Sequence, residues 1–211
     1  MATTPRACAT VCFPEFGDNN MKTIVFDFFG VICSEIAPFV LPKYMAPDVA
    51  VEFKRTVVHN ADLGKMSQIE LFETIEKLTG APAKKLEAEF YALVRIDADM
   101  VKLVEDLKKS YRVGLLTNAV VPFVRDIMAE HKIEPLFHTI LVSAEEGMAK
   151  PDPAYYTRML ERMGARPADS VMIDDNPDNL VGARAAGMDG LLFESCAKLK
   201  SDLAARYAIT A

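Results

Sequence analysis

The sequence predicts an α/β fold: a doubly wound parallel sheet with an all-helical insert after the first strand. Three observations predict it. Short runs that are apolar on both faces recur along the chain, as strands covered by helices on either side require. Patterns of helical period stand between those runs. One stretch, 36–97, breaks the alternation with helical patterns and no strand.

The strands come in order. Ile24-Val25-Phe26 is short, β-branched and aromatic. Val113-Gly114-Leu115-Leu116, Thr139-Ile140-Leu141-Val142, Val171-Met172-Ile173 and Leu191-Leu192-Phe193 read the same way. Between them, Met100, Leu103, Val104 and Leu107 make one helical stripe, and Val120 to His131 makes the next helix. Asp152 caps a helix that opens on Pro153 and stops at Gly164. Asn176 or Asp178 opens another, closed by Gly187.

Within the insert, Ser67-Gln68-Ile69-Glu70 is a capping box. Leu71, Phe72, Ile75 and Leu78 follow on one face, and Gly80 stops the helix. Pro82 restarts a helix through Phe90 and Val94. Ligand crevices in such sheets lie at the carboxyl ends of the strands, so an insert leaving from that edge hangs over the crevice as a lid.

A chain of 211 residues suits one domain with a small insert. The expected division is an extension at 1–20, a core at 21–35 and 98–211, and a cap at 36–97. The extension lacks periodicity, ends in Gly17-Asp18-Asn19-Asn20 and is expected to be dispensable.

Lys and Arg number 24 against 30 Asp and Glu, a net charge of −6, which disfavours a nucleic-acid binder. No apolar run reaches the ~18 residues of a membrane span, and the first twenty residues do not read as a secretory signal. Cys8, Cys12, Cys33 and Cys196 match neither zinc-site spacing nor a disulfide framework. The expectation is a cytoplasmic protein, monomer or homodimer, with no nucleic-acid or membrane partner.

Polar residues gather where three strands end and in one nearby loop: Asp27, Thr117-Asn118, Asp174-Asp175 and Lys150. Taken singly they read as turn, cap or solvated loop residues. Taken together they read as phosphoryl-transfer chemistry. Carboxylates from two strands can hold Mg²⁺ while it engages a substrate phosphate. A lysine adds fixed positive charge, and a Thr hydroxyl with backbone amides offers donors to anionic oxygens. A carboxylate free to attack, Asp27, makes an aspartyl-phosphate.

The chain from about Met21 to Phe193 resembles the haloacid dehalogenase superfamily of hydrolases. The resemblance rests on four motifs in order: FDFFGVI, LLTN, AKPDPAYY and MIDDNPDNLVGARAAGM. It implies a Rossmann-like core. The insert resembles the small helical cap of one branch, and its NADLGKMSQIELFETI stretch resembles the caps of sugar-phosphate phosphatases and of the phosphatase half of bifunctional epoxide hydrolases. The resemblance implies Asp27 as nucleophile and Thr117 and Asn118 as phosphate-binding residues. It implies Lys150 as the lysine that steadies nucleophile and phosphoryl charge. Asp175 is implied as the main acidic Mg²⁺ ligand, with Asp174 beside it and the Phe29 carbonyl as a further ligand. The implied activity is Mg²⁺-dependent hydrolysis of a small phosphorylated metabolite.

Phe29 departs from that pattern. Phosphatases of the family carry a second Asp there, which protonates the leaving oxygen and later activates water. General acid–base help of that kind is worth about 10²–10⁴ in rate. The alternatives are a metal-free dehalogenase-type hydrolase, whose branch carries a Tyr at this place, and a catalytically impaired member that binds a phospholigand or a protein. Two adjacent carboxylates beside the nucleophile repel without a cation, which favours the metal. Tyr156 fits both branches. His59, His131 and His138 read as isolated surface residues, with His59 also a candidate proton donor from the cap. Cys33 reads as a buried thiol or a pocket residue.

Overall fold

The computed structural model describes residues 23–210. The expected extension at 1–20, with Cys8 and Cys12, lies outside them. Five strands form one parallel sheet: β1 (Thr23–Phe26), β2 (Arg112–Thr117), β3 (Thr139–Val142), β4 (Ser170–Asp174) and β5 (Asp189–Leu192), in the order β3-β2-β1-β4-β5. The chain steps outward from β1 to β3, then crosses back to the far side of β1. That reversal beside the central strand is where open α/β sheets form a ligand crevice. Phe26 pairs with Leu115 on one side and Ile173 on the other, so β1, β2 and β4 end nearly level. Asp27, Thr117 and Asp174 thereby reach one edge of the sheet.

Side chains alternate between the sheet's two faces. Ile24, Phe26, Val113, Leu115, Val171 and Ile173 belong to one apolar cluster. Val25, Leu116 and Met172 belong to the other, with Tyr155, Tyr156, Met159 and Met163. The helices that cover the faces are α6 (Ala98–Lys108), α7 (Phe123–Glu130), α9 (Pro153–Met163), α10 (Pro177–Ala185) and α11 (Cys196–Tyr207), with a short α8 (Ser143–Glu146) after β3.

Between β1 and α6 the chain is helical: α1 (Ala37–Val40), α2 (Pro47–Phe53), a π-helical turn at Lys54–Val58, α3 (His59–Asp62), α4 (Gln68–Thr79) and α5 (Ala83–Ala92). The two stems of this insert are tied together. Ser34 Oγ donates to the Leu93 carbonyl at 2.7 Å and accepts from the Arg95 amide at 3.1 Å, while Cys33 bridges Ile96. The first apolar cluster runs without a break from the sheet into the insert through Ile36, Val40, Phe53, Leu71, Phe72 and Ile75.

Caps do what the sequence requires of them. Ser67 and Glu70 form the reciprocal capping box of α4, and Gly80 ends it at φ +73°. Asp152 caps α9, Gly164 closes it, and Asn176 rather than Asp178 caps α10. Several boundaries differ from expectation. The helix expected from Val120 begins at Phe123, because Pro122 disfavours helical geometry at Val121. The last strand starts at Asp189, not Leu191, and ends before Phe193. It is an edge strand paired only to β4, so a polar residue and a glycine extend it where apolar content alone points later. Helix α11 has no counterpart in the sequence reading; it buries only Leu199 and Leu203. Among the described residues, no helix is long and apolar enough to cross a membrane.

Candidate active site

The floor of the site is a buried ion cluster. Lys150 Nζ stands 2.7 Å from Asp27 Oδ2 and 2.7 Å from Asp174 Oδ2. All three residues are buried. Burial alone would lower the lysine's pKa, but Asp174 and Asp27 raise it above the ordinary value, so the ammonium stays charged. Burial pushes Asp27 well above the usual carboxylate range, with Lys150 opposing and Asp174 adding to the rise. Asp27 Oδ1 accepts from the Phe28 amide at 2.6 Å.

Local structure fixes each group. Asn118 Nδ2 donates to the Lys150 carbonyl and Asn118 Oδ1 accepts from the Lys150 amide, both at 2.8 Å, so the end of β2 sets the backbone of the lysine loop. Ser143 Oγ accepts from the Ala119 amide at 2.9 Å and holds the segment after Asn118. Asp174 takes three further hydrogen bonds: one from the Asn176 amide and two from Asn179 Nδ2. Tyr156 donates to the Asn179 carbonyl, and Tyr155 donates to the Thr117 carbonyl. The paired tyrosines of α9 thus brace β2 and α10 from beneath. Among the described residues the buried Thr117 hydroxyl has no hydrogen-bond partner.

Three carboxylates share one ammonium. One oxygen each from Asp27, Asp174 and Asp175 lies within 4.8 Å of the others. Ligands of octahedral magnesium stand roughly 3–4 Å apart, so a small closure brings the three to one ion. The donors are hard oxygens, which suit Mg²⁺, and the uncompensated charge of two matches a divalent cation. Asp175 is raised by burial and by Asp174, the condition a cation relieves. These residues fit the metal, with Asp175 the least committed to protein donors and Asp174 the most.

Above the floor is a cavity of about 310 Å³. Asp27, Asn118, Lys150 and Asp175 belong to its polar lining, whereas the expected Thr117 is fully buried and does not line the cavity. Phe29, Leu71, Phe72, Ile75, Phe90 and Phe123 make its apolar lining, three of them from α4 and one from α5. Phe29 stacks on Phe123 with centroids 6.2 Å apart and meets Phe28 edge-on at 4.9 Å. Its ring has no proton to exchange.

Some polar lining was not legible from the sequence. Lys54 and Asp62 face the cavity from the insert, and Glu35 from the core segment just before it. Their signal is positional: Lys54, Val58 and Asp62 are spaced by four along one helical stretch and all reach the cavity. Burial pushes Asp62 up to about 7, against the pull of Lys54 and with Glu35 adding. His59, weighed as a proton donor, is exposed and outside the cavity lining. His131 and His138 are exposed as well. Cys33 is buried, and burial pushes its thiol up to about 11; it does not line the cavity.

Comparison with known proteins finds relatives in sequence and in fold. A sesquiterpene phosphatase of Aspergillus oryzae, astK, is 28% identical over 176 residues, covering 82% of this chain and 89% of its own. The drimenol cyclase drtB of Aspergillus calidoustus is 27% identical over 181 residues, but the match spans only 33% of that longer protein. Among solved structures, the enzyme bt-2542 of Bacteroides thetaiotaomicron, in complex with magnesium and inorganic phosphate, superposes with a TM-score of 0.70 at 21% identity. It covers 82% of this chain and 94% of its own. The family model for haloacid dehalogenase-like hydrolases matches residues 21–187. On that match, and on the fold and site it spans, the chain belongs to the haloacid dehalogenase-like hydrolases.

Proposed function

We propose that the protein is a Mg²⁺-dependent phosphatase that hydrolyses monophosphates of a small apolar alcohol through a phosphorylated Asp27. The observation that carries this reading is the cavity's mixed lining: a charged group of Asp27, Lys150 and Asp175, and an apolar group of Phe29, Leu71, Phe72, Ile75, Phe90 and Phe123. A phosphate suits the first and a hydrocarbon the second. The sesquiterpene phosphatase among the relatives supports both halves.

Bound Mg²⁺, held by Asp27, Asp175, Asp174 and the Phe29 carbonyl, would neutralise phosphate charge. The chain supplies the rest. Asp27 Oδ attacks phosphorus in line with the ester oxygen. Lys150 holds Asp27 in place and offsets charge on the phosphoryl oxygens. Asn118, which lines the cavity, offers donors to the phosphoryl oxygens, and Thr117 beside it keeps a buried hydroxyl with no partner among the described residues. Water then opens the aspartyl-phosphate and releases inorganic phosphate. A metal-free dehalogenase would leave three carboxylates crowded on one ammonium, which this site disfavours.

The test is hydrolysis of 4-nitrophenyl phosphate and of an isoprenyl monophosphate, each with Mg²⁺ and with EDTA. The reading requires Mg²⁺-dependent turnover of both, a higher kcat/KM on the isoprenyl ester than on glycerol phosphate, and a phospho-enzyme absent in Asp27→Asn. Equal turnover in EDTA, or preference for glycerol phosphate, sinks it.

A further inference from the structure

We infer that Asp62, reaching in from the insert, is the general acid and base of this site, doing the work that Phe29 cannot do. The inference rests on the phosphatase reading above. An alkyl or isoprenyl alcohol leaves as a basic alkoxide unless it is protonated, so the chemistry needs a donor on the cap side of the phosphate. Asp27 and Asp175 are engaged at the floor. Lys150 is held between two carboxylates. Glu35 faces Lys54 at 3.8 Å. Asp62 lines the same cavity and has no hydrogen bond or close ion pair among the described residues.

Its position is built. Asp62 ends α3, which packs against α8 of the core. Two residues later Gly64 takes φ +68°, and a Cβ there would lie 2.4 Å from the Ala144 carbonyl oxygen. Only glycine lets the chain settle on the core so closely, and that seat anchors the end of α3, whose Asp62 lines the cavity. The groups facing its carboxyl are Lys54 from the insert and Glu35, Lys150 and Tyr155 from the core. Burial holds the carboxyl at about 7, where it is part acid and part base at neutral pH.

The proton accounting closes. Asp27 Oδ bonds to phosphorus as the ester P–O bond breaks, and the departing oxygen takes the Asp62 proton, giving a neutral alcohol. The Asp62 carboxylate then takes a proton from the water that attacks phosphorus. The Asp27–phosphorus bond breaks, inorganic phosphate leaves, and both carboxyls return to their starting forms.

The test uses the Mg²⁺-loaded enzyme and the Asp62→Asn and Asp62→Glu variants. An aryl phosphate departs as a stable phenolate and needs no acid, so Asp62→Asn should keep the first burst of nitrophenolate within a few-fold while phospho-enzyme accumulates. Turnover of an alkyl monophosphate should fall by about 10²–10⁴. The fall of kcat at alkaline pH should be present in wild type and in Asp62→Glu and absent in Asp62→Asn. An Asp62→Asn enzyme that turns over alkyl phosphate at the wild-type rate overturns the inference. So does equal loss of burst and alkyl turnover, the mark of a merely structural role. A wild type that forms no phospho-enzyme overturns the phosphatase reading beneath it, and the inference with it.

Discussion

Asp175 occupies the space that a side chain on Gly30 would need: a Cβ at Gly30 would lie 2.2 Å from Asp175 Oδ2. Gly30 also holds φ +81°, which L side chains rarely adopt. The two residues come from β1's loop and the end of β4, so their contact closes the carboxylate cluster. Gly30→Ala should force Asp175 away and strain the loop. The expected result is a folded protein destabilised by more than about 1 kcal/mol, with activity needing far more Mg²⁺. Urea unfolding beside a Mg²⁺ titration of turnover checks it; unchanged Mg²⁺ dependence counts against Asp175 as a ligand.

Asp27→Asn should abolish turnover and leave the fold intact. The amide is nearly isosteric and a poor nucleophile, and Lys150 keeps Asp174 as its partner. Retention of more than a few per cent of wild-type rate, with circular dichroism unchanged, would remove Asp27 from the role.

Mg²⁺ should raise the melting temperature of the wild type, since the folded site binds it and the unfolded chain does not. Asp175→Ala should lose that response. An equal shift in both proteins would relocate the metal.

Phe29→Asp tests the division of labour between floor and cap. Phe29 is partly buried and packs on Phe123 and Phe28, so the change should cost stability, up to the ~3–5 kcal/mol of a large-to-small aromatic substitution. With Asp62 present, the new carboxylate should add little to alkyl phosphate turnover. In an Asp62→Asn background it should restore part of what was lost. A large gain in the wild-type background would mean that no acid was at work there.

Asp62 also has a signature in stability. Its folded pKa, about 7, lies above its unfolded value near 4. Between those values the native state binds the extra proton, so this residue's contribution is present at pH 4 and is lost as pH rises through 7. The melting temperature of Asp62→Asn relative to wild type should therefore climb from pH 5 to pH 8 in metal-free buffer. A constant difference would place the carboxyl in ordinary solvent.

The sequence shows the frame of this molecule because its strands are buried on both faces. Ile24-Val25-Phe26 and Val171-Met172-Ile173 have no polar positions to blur them, and Asp27 and Asp174 follow each at once. Ser67, Glu70 and Gly80 are legible because capping is local. Helix α11 is not, since it buries only Leu199 and Leu203, and β5 shows only its apolar half, Leu191-Leu192, because Asp189 and Gly190 carry no strand pattern. Asp62 escapes for another reason. Its environment is made by Lys54, Glu35 and Lys150, which are near in space through packing of the insert on the core and not through any motif. His59 stands one position after the cavity-lining Val58, about 100° further around the helix, and is exposed, as its surface reading expects.

The apolar cluster that runs from the sheet into the insert has a consequence for how such an enzyme can diversify. Leu71, Phe72, Ile75 and Phe90 are at once the walls that a substrate meets and part of the core that keeps the insert folded. A lineage that reshapes these walls for a different alcohol also opens voids or overpacks its own interior. New selectivity then arrives with a loss of stability. Variants that succeed need a reserve gained elsewhere, and exposed positions such as Phe39 or Val51, far more tolerant of change, are where it can accumulate.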